Sequence, residues 1–405
     1  MLVRYKQDDK GKSVAFADIY SPNEHHIDPS LIDKDAFWAI RKLKASGAEA
    51  YIVGGAVRDL LLGLVPKDFD ITTSASPRQI QRLFWNARVI GRRFKLVHLV
   101  FGPKIIEVST FRSGEEAEDG NNNVFGSVDQ DAKRRDFSIN SLYYDPTNGQ
   151  LLDFNHAMAD FKKKRITSII PLDKSFVEDP VRMIRAVKYS VTTGFSLRFD
   201  IKMAIRKYAT ELSRTSTSRL TEEVNKILAS GRCCDIFLAL EKYKLLVYML
   251  PCFSVYCKFD KEKKSLRELD RMVNLAKQGK GAEVTLAEQL KFLVTPLVVF
   301  TGEEQSGEDR FHEAYRQIKV LVSPMTPPNY EVENAAMRIL ADQGYKLPRM
   351  RSRQAGRPQQ ARSAMQRRRP APRRPRPNTA RRKEPQKVVT VIETDAKNSA
   401  EAHDL

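Results

Sequence analysis

Two carboxylates one residue apart, Asp68 and Asp70, are the side chains in this sequence best placed to do chemistry. They flank Phe69 and lead into a β-branched run, Ile71 to Thr73. In a strand, residues i and i+2 point to the same face, so both acids project together while Phe69 turns into the core. Paired carboxylates on one face form a hard-oxygen site suited to magnesium carrying a nucleoside triphosphate. Taken alone, an Asp-x-Asp at a strand start is as readily a solvated edge. Just upstream, however, Gly54 and Gly55 break an apolar run, Ala48 to Val53, before a segment of helical patterning, Ala56 to Leu62. A strand, a glycine turn and a helix start let backbone amides approach a phosphate, with the favourable helix end behind them.

The flanking elements must hold that pair in place. Asp35 to Ser46 reads as a helix with Phe37, Ile40 and Leu43 on one stripe. Ser76-Pro77-Arg78-Gln79 is a capping box that starts a helix to about Asn86, burying Ile80, Leu83 and Phe84. Two strands are predicted over Phe94–Phe101 and Lys104–Phe111, joined by a Gly102-Pro103 turn. Glu107, a lone acid in the second, becomes a third active-site carboxylate if the sheet order sets it beside Asp68 and Asp70. Arg134 to Asn140, RRDFSIN, supplies a cation, an acceptor and an amide in Arg135, Asp136 and Asn140, a set suited to a triphosphate and a ribose hydroxyl. Phe176 to Gly194 reads as one helix with Asp179 as N-cap, Pro180 at its first position and Gly194 at its end. Val181, Ile184 and Val187 form its packing stripe, and Arg182 and Arg185 share another face.

These motifs, in this order over roughly residues 35 to 230, resemble the nucleotidyltransferase superfamily, and within it the class II family of bacterial poly(A) polymerases and CCA-adding tRNA nucleotidyltransferases. The resemblance implies an α+β fold: a small mixed sheet with helices as the catalytic head, an all-α neck and body, and a disordered basic tail. It implies that Arg135, Asp136 and Asn140 hold the sugar and phosphates of the nucleotide. Residues 178–186 match the family's EDxxRxxRA motif, which implies that Asp179 and Arg182 present hydrogen-bond groups to the incoming base, with Arg185 beside them. Val89 to Val100, VIGRRFKLVHLV, is similar to the signature that separates poly(A) polymerases from their CCA-adding relatives. Physically it is a basic turn, Arg92-Arg93, feeding a strand, and His98 reads there as a packed strand histidine.

The chain of 405 residues carries a formal charge of +19. Lys346 to Lys387 holds 16 Lys and Arg against the single acid Glu384, a net of +15, so about +4 is left for the rest. That segment, with Arg367, Arg368, Arg369, Arg373 and Arg374 at its centre, has too few apolar residues to build a core and reads as a disordered, RNA-binding polycation. The expected organisation is an extension over 1–34, polar and irregular, then a head over 35–160, a neck over 161–230, a helical body over 231–345 and the tail over 346–405. Glu115 to Asn123 reads as a mobile acidic loop, and His25 and His26 as solvated loop residues. Cys233, Cys234, Cys252 and Cys257 lack metal-ligand spacing and read as reduced packing residues. No run of 18 apolar residues occurs, and MLVRYKQDDKGKS is too polar for a signal peptide, so a cytoplasmic protein without membrane contact is expected. Gly11-Lys12-Ser13 lacks the earlier glycine of a P-loop. Only His312 and His403 follow His156, which argues against a histidine-aspartate phosphohydrolase domain.

The expected activity is ATP-dependent poly(A) addition to RNA 3' ends with two Mg2+ ions held by Asp68 and Asp70, joined by Glu107 if the sheet order sets it beside them, and Gly54, Gly55 and Arg58 on the triphosphate. CCA addition is the alternative within the family. From other classes come a non-catalytic RNA-binding protein on a transferase scaffold and a small-molecule adenylyltransferase. RNA-degradation and RNA-chaperone proteins are candidate partners. Removing residues 346 to 405 is expected to weaken RNA binding and flatten its salt dependence while leaving the catalytic centre folded. Titration of RNA binding against salt and a thermal melt of the truncated chain check this, and loss of folding would contradict it.

Overall fold

Among the residues described by the computed structural model (2–7, 13–91, 96–113, 125–300 and 306–345), nine strands pair into one mixed sheet. They are β1 (Leu2–Gln7), β2 (Ser13–Tyr20), β3 (Ala50–Val53), β4 (Asp70–Thr73), β5 (Ala87–Ile90), β6 (Leu96–Phe101), β7 (Lys104–Thr110), β8 (Leu142–Asp145) and β9 (Gln150–Asp153). Their order is β1-β2-β9-β8-β3-β4-β7-β6-β5. Seven of the eight pairings are antiparallel, and β4 with β7 is the parallel one. A parallel neighbour needs a crossover, and here the helix Pro77–Leu83 and the strands β5 and β6 lie between β4 and β7 in sequence.

Alternation along the strands gives the sheet two unlike faces. One face presents Ile52, Ile71, Val97, Leu99, Ile106, Val108 and Tyr144 to the helices Lys34–Ala45, Gly55–Leu61 and Pro77–Leu83. The other is covered at its β3, β8 and β9 side, where Tyr51, Val53, Tyr143 and Leu152 pack with Phe111 under the helix Val128–Lys133, and this cover reaches Thr72 on β4. Farther along β4, β7 and β5 the same face exposes Asp70, Glu107 and Arg88. The capping box at Ser76 forms as expected, its hydroxyl accepting from the Gln79 amide.

Three expectations change. Residues 1–30 are not irregular: β1 and β2 form a hairpin that joins the sheet through β9. Their pattern is hidden because β1 is an edge strand with Leu2, Arg4 and Tyr5 exposed, and among the described side chains of β2 the buried ones are Ala17 and Ile19. His25 is buried, not solvated; its ring contacts the Gly149 carbonyl at 2.9 Å and accepts from the Ile27 amide at 3.0 Å. The helix expected over Phe176–Gly194 is two, Leu172–Glu178 and Val181–Thr193, broken at Asp179-Pro180 because proline has no N–H to continue the ladder. Asp179 therefore caps nothing with its side chain. Gly194 ends the second helix at φ 74°, as its position implies.

Residues beyond the sheet are helical, for example Thr217–Leu228, Cys233–Lys242 and Asp260–Lys277. Their common core begins inside the RRDFSIN segment, since Phe137 and Ile139 pack with Phe176, Ile184 and Val187 instead of with the sheet. Cys233, Cys234 and Cys257 are free thiols in that core. No described helix is long and apolar enough to cross a membrane. The Glu115–Asn123 loop, Arg92, Arg93 and the tail arginines lie outside the described residues. Ile71 is fully buried directly after Asp70 and locks β4 to the helical layer. Ile71→Ala is expected to cost about 2–5 kcal/mol, read from a denaturant melt.

Candidate active site

Parallel pairing decides where the acids meet. Asp70 and Glu107 are register partners on β4 and β7, so their side chains leave the same face one strand spacing apart. Asp68 and Asp70 are both exposed on either side of buried Phe69, but β4 begins at Asp70, so Asp68 stands in the segment leading into the strand and not on the strand itself as expected. Across the other edge of β4, Val53 pairs with Asp70, which brings the glycine turn alongside. Gly54 has φ 70° and ψ −130°, a backbone region closed to side-chain-bearing residues. A Cβ there would sit 3.8 Å from Asp70 Oδ2 and 3.7 Å from Arg135 Nη1, so turn, carboxylate and cation share one hollow.

Asp70 is open to solvent on its cleft side, yet protein encloses enough of the carboxyl to matter. Burial, then the charges of Glu107 and Asp68, push its pKa up to about 6 against the opposing pull of Arg135 and Lys226. Hard oxygen donors crowded to that degree fit a divalent cation, which would relieve their repulsion. Among the described residues, no three acidic, histidine or cysteine side chains enclose an ion as they stand.

Arg135 is fixed from below. Its Nε donates to the Tyr143 hydroxyl at 3.0 Å and its Nη2 to Asp131 Oδ2 at 3.0 Å, while Tyr143 donates to the same oxygen at 2.6 Å. Burial alone would raise the pKa of Asp131, but Arg135 and Arg134 hold it below the usual range. Neither Asp131 nor Tyr143 stood out in the sequence; the signal was Asp131 four residues before Arg135, one helical turn away.

A second set of contacts ties the turn to the helices. Arg58 Nη1 donates to Asn140 Oδ1 at 3.0 Å, Asn140 Nδ2 donates to Asp136 Oδ1 at 3.2 Å, and Arg185 Nη2 lies 2.7 Å from Asp136 Oδ2. Arg58 and Arg185 both lie over the Tyr189 ring, at 5.1 and 5.7 Å. Residues from three motifs thus form one connected network. Asp179 and Arg182 sit apart from it, 3.9 Å from each other. The Asp179 carboxylate accepts from Arg219 at 2.9 Å, and Arg182 Nη1 donates to the Ser175 hydroxyl at 3.2 Å. A hollow of about 200 Å3 opens beside them, lined by Val177, Pro180, Arg214 and Arg219. Arg219, from a helix with no recognisable motif, was missed. A larger hollow of about 410 Å3 opens at the opposite ends of β3 and β4, around Ala48, Ser74 and Arg82, away from the carboxylates. His98 is half-buried on the open face, with Nε2 3.5 Å from Glu107 Oε1, and is not packed into the core.

With this geometry in view, the comparisons are specific. Residues 50–167 match the family described as the Poly A polymerase head domain, and residues 194–257 match one described as a probable RNA and SrmB-binding site of polymerase A. Over these segments the chain is similar to the class II poly(A) polymerases and CCA-adding enzymes. Poly(A) polymerase I of Salmonella typhi is 39% identical over 250 residues, 58% of this chain and 54% of that protein. Poly(A) polymerase I of Escherichia coli O157:H7 is 40% identical over the same shares. The CCA-adding enzyme of Geobacillus kaustophilus is 36% identical over 220 residues, 53% of this chain and 54% of that protein. The chain therefore spans about half the length of the curated relatives it matches. The crystal structure of the Bacillus stearothermophilus CCA-adding enzyme in complex with CTP superposes at a TM-score of 0.50 and 26% identity, covering 78% of this chain and 83% of that one.

The raised pKa of Asp70 has a defined sign. The folded state holds this proton more tightly than an unfolded chain at the ordinary value of 3.8, so the group's contribution to stability falls as pH rises from about 4 through about 6. Asp70→Asn is expected to raise the melting temperature more at pH 7 than at pH 5. Added Mg2+ should raise the melting temperature of the unsubstituted chain at pH 7 and leave the variant unmoved. Equal gains at both pH values would show that the carboxylates do not crowd one another.

Proposed function

We propose that this chain is a template-independent poly(A) polymerase that adds AMP from ATP to RNA 3'-hydroxyl ends and releases pyrophosphate. The observation that carries the reading is the register of Asp70 with Glu107 beside the Gly54 turn, which sets a cluster of acids against a phosphate-receiving bend. Gly54 and Gly55 give the triphosphate a backbone cradle, and Arg58 and Arg135 supply charge to it. Asn140 and Asp136 face the sugar from the same network. Asp68 and Asp70, with Glu107 as the third acid, are the ligands for two Mg2+ ions. Magnesium, when bound, lowers the pKa of the attacking 3'-hydroxyl and balances the charge of the departing pyrophosphate. The acids hold the charge that positions it, and no covalent protein intermediate is needed.

Two features support adenylate addition over CCA synthesis. The segment Val89–Val100 resembles the poly(A) polymerase signature at nearly every position. Arg219 fixes the Asp179 carboxylate, giving the base site one arrangement, which suits repeated addition of a single nucleotide. A CCA-adding enzyme is the second reading, favoured by the likeness to the CTP complex. RNA 3' ends are the partner in either case, with the helical segment 194–257 and the basic tail as further contacts. RNA-degradation and RNA-chaperone proteins are the protein partners such an activity would meet in a cytoplasmic setting.

A short RNA incubated with Mg2+ and ATP alone is expected to acquire long homogeneous A tails on a sequencing gel. Termination after three mixed nucleotides once CTP is added would support the second reading. Asp70→Ala is expected to lower kcat by at least about a hundredfold, the scale of removing one group that stabilises the transition state. Unchanged activity in that variant would overturn the catalytic assignment.

A further inference from the structure

The open half of the sheet continues past the carboxylates. On the parallel and antiparallel registers, Asp70 pairs with Glu107, Glu107 with His98, and His98 with Arg88, so four polar side chains cross β4, β7, β6 and β5 in one row on one face. Strand spacing places Arg88 about 14 Å from Asp70 and His98 about 10 Å from it. Exposed Ile105 and Ile90 lie on the same face but on opposite sides of the row, Ile105 beside Val100 and Ile90 beside Leu96. Arg88 is exposed and has no carboxylate partner among the described residues.

Direction gives this row its meaning. The groups suited to a triphosphate, Gly54, Arg58 and Arg135, all lie on the β3 side of Asp70. In-line displacement requires the attacking hydroxyl opposite the leaving pyrophosphate. The RNA strand must then enter from the β7 side, over Glu107, and its next contacts are His98 and Arg88. We propose that the β5–β6 hairpin is the track for the 3'-terminal nucleotides of the RNA, and that Arg88 holds one of the last two internucleotide phosphates. This rests on the polymerase reading and assigns a physical role to two residues of Val89–Val100 that lie on the described strands, Ile90 on β5 and His98 on β6, next to Arg88. His98 fills the row between the acids and Arg88, so that the phosphate strand is not carried directly onto carboxylates. Ile90 and Ile105 offer apolar surface to the riboses. An arginine on an edge strand also guards against strand pairing, a role indifferent to RNA.

A double-mutant cycle on the full chain separates these roles. The RNA carries a neutral methylphosphonate at the last linkage, at the next to last, or at neither, and kcat/KM for RNA is measured at saturating ATP. For the unsubstituted chain, one of the two neutral linkages is expected to lower kcat/KM roughly tenfold, the scale of one charge-assisted hydrogen bond. Arg88→Ala should lose a similar factor on ordinary RNA and lose nothing more on that modified RNA, with KM for ATP unchanged. Arg88→Lys should recover part of the loss, because a point charge still meets the phosphate. Losses that multiply at both linkages, or a KM for ATP that rises in step with that for RNA, would overturn the track while the polymerase reading stands. Failure of the unsubstituted chain to extend any RNA would bring down the polymerase reading and the track with it.

Discussion

Two carboxylates on adjacent strands repel each other, and the head is organised to hold them together regardless. The repulsion is visible at Asp70, whose pKa is pushed up to about 6 by burial and by Glu107 and Asp68. What keeps the pair in register is the parallel join of β4 to β7, anchored on its covered face by Ile71, Ile106 and Val108. Apolar burial on one side of the sheet thus supplies the stability that the charged side gives up, a division common where function requires local strain. A proton relieves the crowding, and a bound divalent cation would do the same.

The cations are arranged to oppose this charge without cancelling it. Arg135 spends two donors on Asp131 and Tyr143, beneath the site, and points Nη1 toward the glycine turn. Arg58 and Arg185 are likewise committed, to Asn140 and Asp136 and to the face of Tyr189. Guanidinium groups already held by planar hydrogen bonds lose little freedom when they meet a phosphate. The same network runs from the glycine-turn helix to the helix Val181–Thr193, so the nucleotide cradle and the helical region are positioned by one set of contacts. On the far side of the acids the character changes, from committed arginines to His98 and to Arg88, which has no carboxylate partner among the described residues.

Much of this was legible in the chain. Local rules sufficed for the glycine turn, the exposure of Asp68 and Asp70 around buried Phe69, the capping box at Ser76 and the Gly102 turn, because each depends on residues within a few positions of one another. The motif order was enough to indicate the family. Local rules failed where a distant partner set the outcome. Edge position hid β1, burial by Gly149 and Ile27 gave His25 its role, and the missing N–H of Pro180, although local, outweighed a helical pattern that ran through it.

The sequence by itself determined which residues carry charge and where the chain turns at Gly54, since these follow from side-chain chemistry and short-range backbone preference. Only the tertiary structure decided that Glu107 stands beside Asp70, that Arg219 holds Asp179, and that His98 faces the acids on an open sheet. Strand order and helix contact join residues 37 to 40 positions apart in these first two pairs, and no periodicity within a segment encodes which distant segment it will meet.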